Sequence, residues 1–244
     1  MVKIVAIWGW WIWIKWKPAE TKEIDEKIIS LTWKNNPKVI FIPTASDDNE
    51  NYCINFKNYY ESLWCKVEYL LLFKEKLNIK EIENKILNSD IVYVWWWNTL
   101  KMMTLWRKLW IDKIFEKALK KDIVLSWVSA WAICWFKYWN SDSRKFTSNS
   151  DKLIKVTWLN YVNAFVCPHY SSEINRQNSL KDMLKKSSLV WISLDDYTAI
   201  SIENNNFEII KSNKNSKACK YFWKNWEYFQ EEIFNWELSN LTKK

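Results

Sequence analysis

Short apolar runs alternate with stretches of helical periodicity through the first half of the chain. Residues 2–7, 38–42, 66–72, 91–94 and 123–126 are dominated by Val, Ile, Leu, Phe and Tyr, the signature of strands buried on both faces. Between them, residues 19–31, 51–63, 79–87, 100–108 and 112–120 repeat apolar side chains every three to four positions, which predicts amphipathic helices. A repeated βα pattern predicts an α/β fold, a mostly parallel sheet with helices on both faces. The last third differs. "LVWISLDDYTAISIENNNFEIIKSNKNSKACKYFWKNWEYFQEEI" alternates short strands with Asn-rich turns, which predicts antiparallel strands added at a sheet edge. No long linker and no internal repeat divides the chain, so residues 1–244 read as one α/β domain with a sizeable core.

Composition changes this picture at one point. The chain has 21 Trp and a single glycine, Gly9, where average usage predicts roughly 17 glycines. The tryptophans also stand where glycine belongs. Trp33, Trp64 and Trp110 each follow a helical stretch, the usual place of a C-capping glycine. Asn225-Trp226 lies between two alternating runs, where Asn-Gly would make a tight hairpin. Trp95, Trp96 and Trp97 follow a strand directly. Such positions need φ > 0, which an aromatic residue resists. Most of these tryptophans are therefore expected to be glycine in the living protein. The codon UGA is read as tryptophan in one genetic code and as glycine in another, and the Lys/Asn/Ile bias suits an AT-rich genome. Trp106, Trp135 and Trp223 lie inside apolar or helical stretches and are the ones expected to be true tryptophans.

Charge and cysteine usage narrow the class. The net charge is +8, but the lysines are interleaved with Glu along amphipathic stretches such as "KEKLNIKEIENKIL". This is a solvated mixed surface rather than a nucleic-acid footprint. No run of about 18 apolar residues occurs, so no membrane helix is expected, and the start "MVKIVAI" enters a strand without a signal-peptide pattern. Five cysteines (Cys53, Cys65, Cys134, Cys167, Cys219) lack CxxC spacing, which predicts a reducing cytoplasm, no disulfides and no zinc site.

The candidate chemistry gathers at "KDIVLSWVSAWAICWFK", residues 121–137. With glycine at 127 and 131 it becomes a strand, a sharp corner carrying Ser129, and a helix, the geometry that exposes a nucleophilic hydroxyl. The helix N-terminus and the N–H of Ala130 would stabilise developing negative charge. Serine is also a common helix cap, so the corner alone leaves catalysis open. A serine nucleophile needs a base, and His169 in "FVCPHYSS" is the chain's only histidine. Asp142 in "YWNSDSRKF" is the chosen third carboxylate, with Asp151 and Glu173 as alternatives. The turn "VWWWNTL" would supply further oxyanion donors from Trp96 or Trp97. It is no P-loop, because the Lys-Ser/Thr pair is missing. "IWGWWIW" is only a loose dinucleotide fingerprint, because no acidic residue follows the second strand.

With tryptophans read as glycines, "VYVWWWNT", "SWVSAWAICWF", "NSDSRKFTSNSDKL" and "CPHYSSEINRQ" together resemble the peptidase E family of serine peptidases, as do "FIPTASDD" and "IDEKIISLT". The resemblance spans roughly residues 2–235. It implies a fold like that of class I glutamine amidotransferases with serine as nucleophile, and an exopeptidase acting on dipeptides that begin with aspartate. Carried over by position, it makes Ser129 the nucleophile, His169 the base and Asp142 the third member. Trp96, Trp97 and Ala130 would hold the oxyanion, and Arg176 and Asn98 would bind substrate. It implies a short acidic peptide as the partner. Ser-His chemistry needs no cofactor or metal, no nucleic-acid or membrane partner is expected, and a monomer or homodimer is expected. An Asp-Arg hydrolase like cyanophycinase and a non-catalytic module on the same fold are the alternatives. The loop carrying Asp142 departs in length from that of the aspartyl dipeptidases, and literal tryptophans at 95–97, 127 and 131 would block the corner.

Overall fold

The computed structural model describes residues 1–9, 20–44, 48–95, 99–141, 153–156, 160–167, 169–170, 174–184, 188–225 and 227–243. The first half follows the predicted alternation: β1 (Lys3–Trp8), α1 (Lys22–Ser30), β2 (Lys38–Ile42), α2 (Glu50–Ser62), β3 (Lys66–Tyr69), α3 (Ile79–Leu87), β4 (Ile91–Val94), α4 (Thr99–Lys108), α5 (Ile111–Ala118) and β5 (Val124–Val128). Helix starts are capped as the sequence allows. Asn78 and Glu81 form a reciprocal capping box on α3, and the Asn49 side chain accepts from Asn51 N–H at 2.9 Å on α2.

After β5 the chain makes a seven-residue 3-10 turn, Ser129–Trp135, and enters β6 (Phe136–Ser141). The α-helix expected behind Ser129 is therefore a tighter and shorter element. Bulky side chains crowd it: the Trp127 and Trp135 rings lie 4.2 Å apart. A turn this short has little dipole, so the helix-dipole argument for the corner lapses. The chain continues through β7 (Ile154–Val156), β8 (Val162–Cys167), α6 (Ile174–Leu184), β9 (Trp191–Leu194), β10 (Thr198–Glu203), β11 (Asn206–Lys211), β12 (Ala218–Lys224), β13 (Glu227–Glu232), β14 (Trp236–Glu237) and α7 (Leu238–Thr242).

Among the described residues the strands form two sheets, in the orders β14-β11-β10-β1-β5-β4-β2-β3 and β13-β12-β9-β8-β6-β7. The first is mixed. Strands β1, β5, β4, β2 and β3 run parallel, and β10, β11 and β14 add the expected antiparallel edge. The second sheet was not expected. Strands β6, β8 and β9 are parallel, with β7, β12 and β13 antiparallel at the margins. The cause lies in the short 3-10 turn, which delivers the chain straight into β6 without returning it to the first sheet.

Both faces of β1 are buried, and its residues alternate between two cores. Val5 and Ile7 face the layer of α1 and α2, with Ile24, Ile28, Phe56 and Tyr60. Ile4, Ala6 and Trp8 face a larger core built from α3, α5 and the second sheet, including Ile86, Phe115, Val166 and Ile192. That core joins the two sheets. It also holds an unusual load of indoles. Trp8, Trp135 and Trp139 are fully buried in it, as is Trp191 in a smaller cluster with Phe165, and none of their N–H groups has an acceptor, where buried donors are nearly always paired.

Trp33, Trp64 and Trp110 have φ of 57°, 66° and 54°, as their capping positions required. Asn225 at φ 52° starts the two-residue hairpin between Lys224 and Glu227. Its second residue, Trp226, lies outside the described residues.

Candidate active site

The register of the parallel strands sets where loop chemistry gathers. Ile42 pairs with Val94, Val94 with Trp127, and Ile7 with Val128, so β2, β4, β5 and β1 end along one edge. Ser129 follows Val128 at that edge. Val128 is extended (φ −107°, ψ 144°) and Ser129 opens the 3-10 turn, which gives a sharp strand-to-turn corner. The turn packs against β1, β5, β6 and β8. The side chains of residues 129–131 lie outside the description, so the structure places the backbone of Ser129 and Ala130 only.

His169 comes from the second sheet. Cys167, the last residue of β8, pairs with Ser193 of β9, so the residues just past these two parallel strands project side by side. His169 lies two positions beyond β8 and Asp196 two beyond β9. Their side chains meet, with His169 Nδ1 2.6 Å from Asp196 Oδ1, and only 7% and 13% of these side chains are exposed. An ionised carboxylate only accepts, so Nδ1 carries the proton it donates, and in the neutral ring Nε2 is the nitrogen that can accept. Burial keeps water and salt from weakening the pair.

Several contacts fix this arrangement. His169 has φ 52°, a left-handed conformation that costs a non-glycine residue roughly 1–2 kcal/mol, and such strain concentrates at functional sites. The next residue, Tyr170, donates its N–H to Leu194 O at 3.3 Å. Asp196 O accepts from Ser216 Oγ at 2.7 Å, and Thr198 Oγ1 donates to Asp195 O at 2.6 Å. Gly9, at the end of β1, presses on the same turn: a Cβ there would lie 2.6 Å from Tyr197 N, and φ is 137°. The literal glycine of this chain thus stands where no side chain fits.

Asp196 was missed by the sequence reading. The signal was present in "WISLDDYTAI", where two aspartates follow a short apolar strand just as His169 follows another. Asp142, the residue chosen for this role, lies outside the described residues, as do Asp151 and Glu173. Trp96, Trp97 and Asn98 also lie outside them. Trp95 is buried and donates its backbone N–H to Ile42 O at 3.2 Å, which ties the β4 end to the β2 end. Arg176 is buried near the start of α6, and its carbonyl accepts from Cys167 Sγ at 3.8 Å. This puts Arg176 at the same end of β8 as His169. Cys134 is fully buried and burial pushes its thiol well above the ordinary range, so it does not compete as a thiolate nucleophile. Among the described residues no group of three or more His, Cys, Asp or Glu could hold a metal ion, and no helix is long and apolar enough to cross a membrane.

The model of peptidase family S51 matches residues 16–210 of the chain. The chain belongs to this family. An S51 member is a peptidase, and a serine nucleophile fits the family. One relative is an uncharacterized peptidase, YgaJ, of Bacillus subtilis strain 168. It is 28% identical over 199 residues, covering 81% of this chain and 83% of its own length. Among solved structures, a peptidase from an acI-B1 Actinobacterium superposes with a TM-score of 0.66 at 14% identity, over 96% of each chain. A protein assigned as peptidase E from Listeria monocytogenes EGD-e superposes with a TM-score of 0.62 at 20% identity, over 86% of this chain and 98% of that one. The S51 fold, a mixed sheet with a parallel centre, flanking helices and antiparallel edge strands, is thus shared with these peptidases.

Proposed function

We propose that the chain is a single-domain, cytoplasmic serine exopeptidase that releases N-terminal aspartate from short peptides through an acyl-enzyme. Ser129 is the nucleophile and His169 the general base, with Asp196 taking the orienting role first given to Asp142. The observation that carries this reading is the 2.6 Å His169–Asp196 pair, set just past two neighbouring parallel strands in a chain of the S51 family. Ser129 Oγ attacks the scissile carbonyl as His169 Nε2 takes its proton, which then passes to the leaving amine. Water, deprotonated by the same nitrogen, releases the acyl group. The backbone N–H of Ala130 and those of residues 96 and 97 hold the oxyanion, while Arg176 and Asn98 grip the aspartate side chain. The shared core of the two sheets supports one domain, and five buried free cysteines support a reducing compartment.

The corner works only with small residues at 127 and 131. The reading therefore takes these positions as glycine, through UGA read as glycine. The test is hydrolysis of Asp-Leu and of β-linked Asp-Arg by a chain carrying glycine at 95–97, 127 and 131, beside its Ser129→Ala variant. Cleavage of Asp-Leu, abolished by Ser129→Ala, is expected. Cleavage of β-Asp-Arg alone would move the substrate to the Asp-Arg class. No hydrolysis and no serine labelling would make the chain a non-catalytic module.

A further inference from the structure

The three capping tryptophans share one geometry. Trp33, Trp64 and Trp110 follow α1, α2 and α4, all with φ between 54° and 66°. Each turns its N–H back into the helix it ends: Trp33 to Ser30 O at 3.1 Å, Trp64 to Glu61 O at 3.0 Å, and Trp110 to Arg107 O at 3.3 Å. At the second of them, Cys65 N–H also reaches Tyr60 O at 3.0 Å, closing the wider loop of a left-handed helix stop. This conformation is one that glycine adopts freely and a tryptophan does not. Nothing in their packing explains the side chains, because the three indoles are 78%, 76% and 59% exposed.

The interior carries the opposite defect. Trp191 and Phe165 lie face to face with centroids 3.3 Å apart and planes within 12°, the arrangement that aromatic pairs avoid in favour of offset or edge contacts. Trp191 sits in the middle of the second sheet, and its N–H is buried without an acceptor. Trp106 differs in its ring packing. It lies on the inner side of α4, fully buried, with Phe115 at 4.9 Å in a tilted contact.

We propose that Trp33, Trp64, Trp110 and Trp191 occupy positions where the protein made in its own cell carries glycine, read from UGA, while Trp106 is a true tryptophan. Outside, a left-handed helix stop requires glycine. Inside, a sheet position pressed against Phe165 leaves no room for an indole. None of these four residues belongs to the catalytic corner, so glycine found at them can stand while the peptidase reading fails; tryptophan found at them would also undercut the glycines that reading takes at 127 and 131. It also turns one chain into a decoder: the capping positions report the codon's meaning without any assay of activity.

The test is peptide mass spectrometry on the protein isolated from its native source. Tryptic cleavage releases residues 28–34, 58–66 and 109–113, each carrying one capping position, and 102–107, carrying Trp106. Glycine masses in the first three and a tryptophan mass in the fourth are expected, together with glycine at 191. Tryptophan at any capping position or at 191 overturns the proposal, as does glycine at 106. A second measurement is independent of the source organism. Two chains are made in an ordinary host, one with all tryptophans and one with glycine at 33, 64, 110 and 191. The glycine chain should unfold at higher urea, and an equal or lower midpoint would contradict the physical argument.

Discussion

Replacing Asp196 by asparagine tests the assignment of the third catalytic residue. Asparagine keeps the size of the side chain but offers an amide N–H₂ as well as an oxygen. With Asp196, the imidazole is held with its proton on Nδ1 by a 2.6 Å bond, and the ring and carboxylate are only 7% and 13% exposed. In the Asp196→Asn variant the amide donates to Nδ1, the proton moves to Nε2, and the nitrogen facing the nucleophile can no longer accept. Loss of the correct tautomer in a serine triad lowers kcat about 10⁴-fold, which corresponds to about 5.4 kcal/mol of transition-state stabilisation. The aspartyl turn is held by Ser216 Oγ and Thr198 Oγ1 through backbone carbonyls, so the variant should keep its fold and its KM. The assay is steady-state hydrolysis of an Asp-Xaa dipeptide from pH 5 to 9 by the chain with glycine at the corner, with urea unfolding as a control on stability. Asp142→Asn is measured alongside and should lose far less. An Asp196→Asn variant within about tenfold of the parent, ~1.4 kcal/mol, while Asp142→Asn collapses, would refute the assignment.

Other predictions bear on stability and on substrate. In a chain with tryptophan at all 21 positions, Trp64→Gly should stabilise by about 1 kcal/mol, because it relieves left-handed strain at a side chain 76% exposed. Trp106→Gly should instead cost about 3–5 kcal/mol, because that indole is fully buried against Phe115. Urea midpoints check both, and a destabilised Trp64→Gly would contradict the strain argument. Asp25 is fully buried, and burial pushes its carboxyl up from 3.8 to about 6 despite hydrogen bonds from Tyr60, Thr21 and Tyr59. The folded state then holds the proton that the unfolded chain has lost, so stability falls as pH rises from about 4 to about 6, by up to about 3 kcal/mol. Asp25→Asn should flatten that part of the pH–stability curve, and an unchanged slope would show that another group causes it. Arg176→Ala should raise KM for Asp-Xaa far more than it lowers kcat, measured on initial rates, whereas an equal loss of stability and rate would mark Arg176 as a packing residue only.

The first sheet was legible because its strands are local: five short apolar runs separated by periodic helices leave little choice. The turns were legible although tryptophan stands at three of them, as Trp33, Trp64, Trp110 and Asn225 show by their φ values. The second sheet was not legible. Trp191–Leu194 and Ala218–Lys224 look like edge strands in sequence, and which sheet they join depends on pairing with β8, which no local pattern encodes. The same non-local pairing hid Asp196. It reaches His169 only because β8 and β9 are neighbours, across 27 residues of chain. Asp142 follows the corner closely in sequence and lies outside the described residues, so Asp196 is the carboxylate that the described strands bring to His169.

The most direct test of the central claim is labelling of the glycine-bearing chain with a fluorophosphonate, followed by peptide mass spectrometry. The account predicts a single phosphonyl adduct on Ser129, abolished in His169→Ala and much slowed in Asp196→Asn. An active enzyme without this adduct, or with the label on another residue, would contradict it.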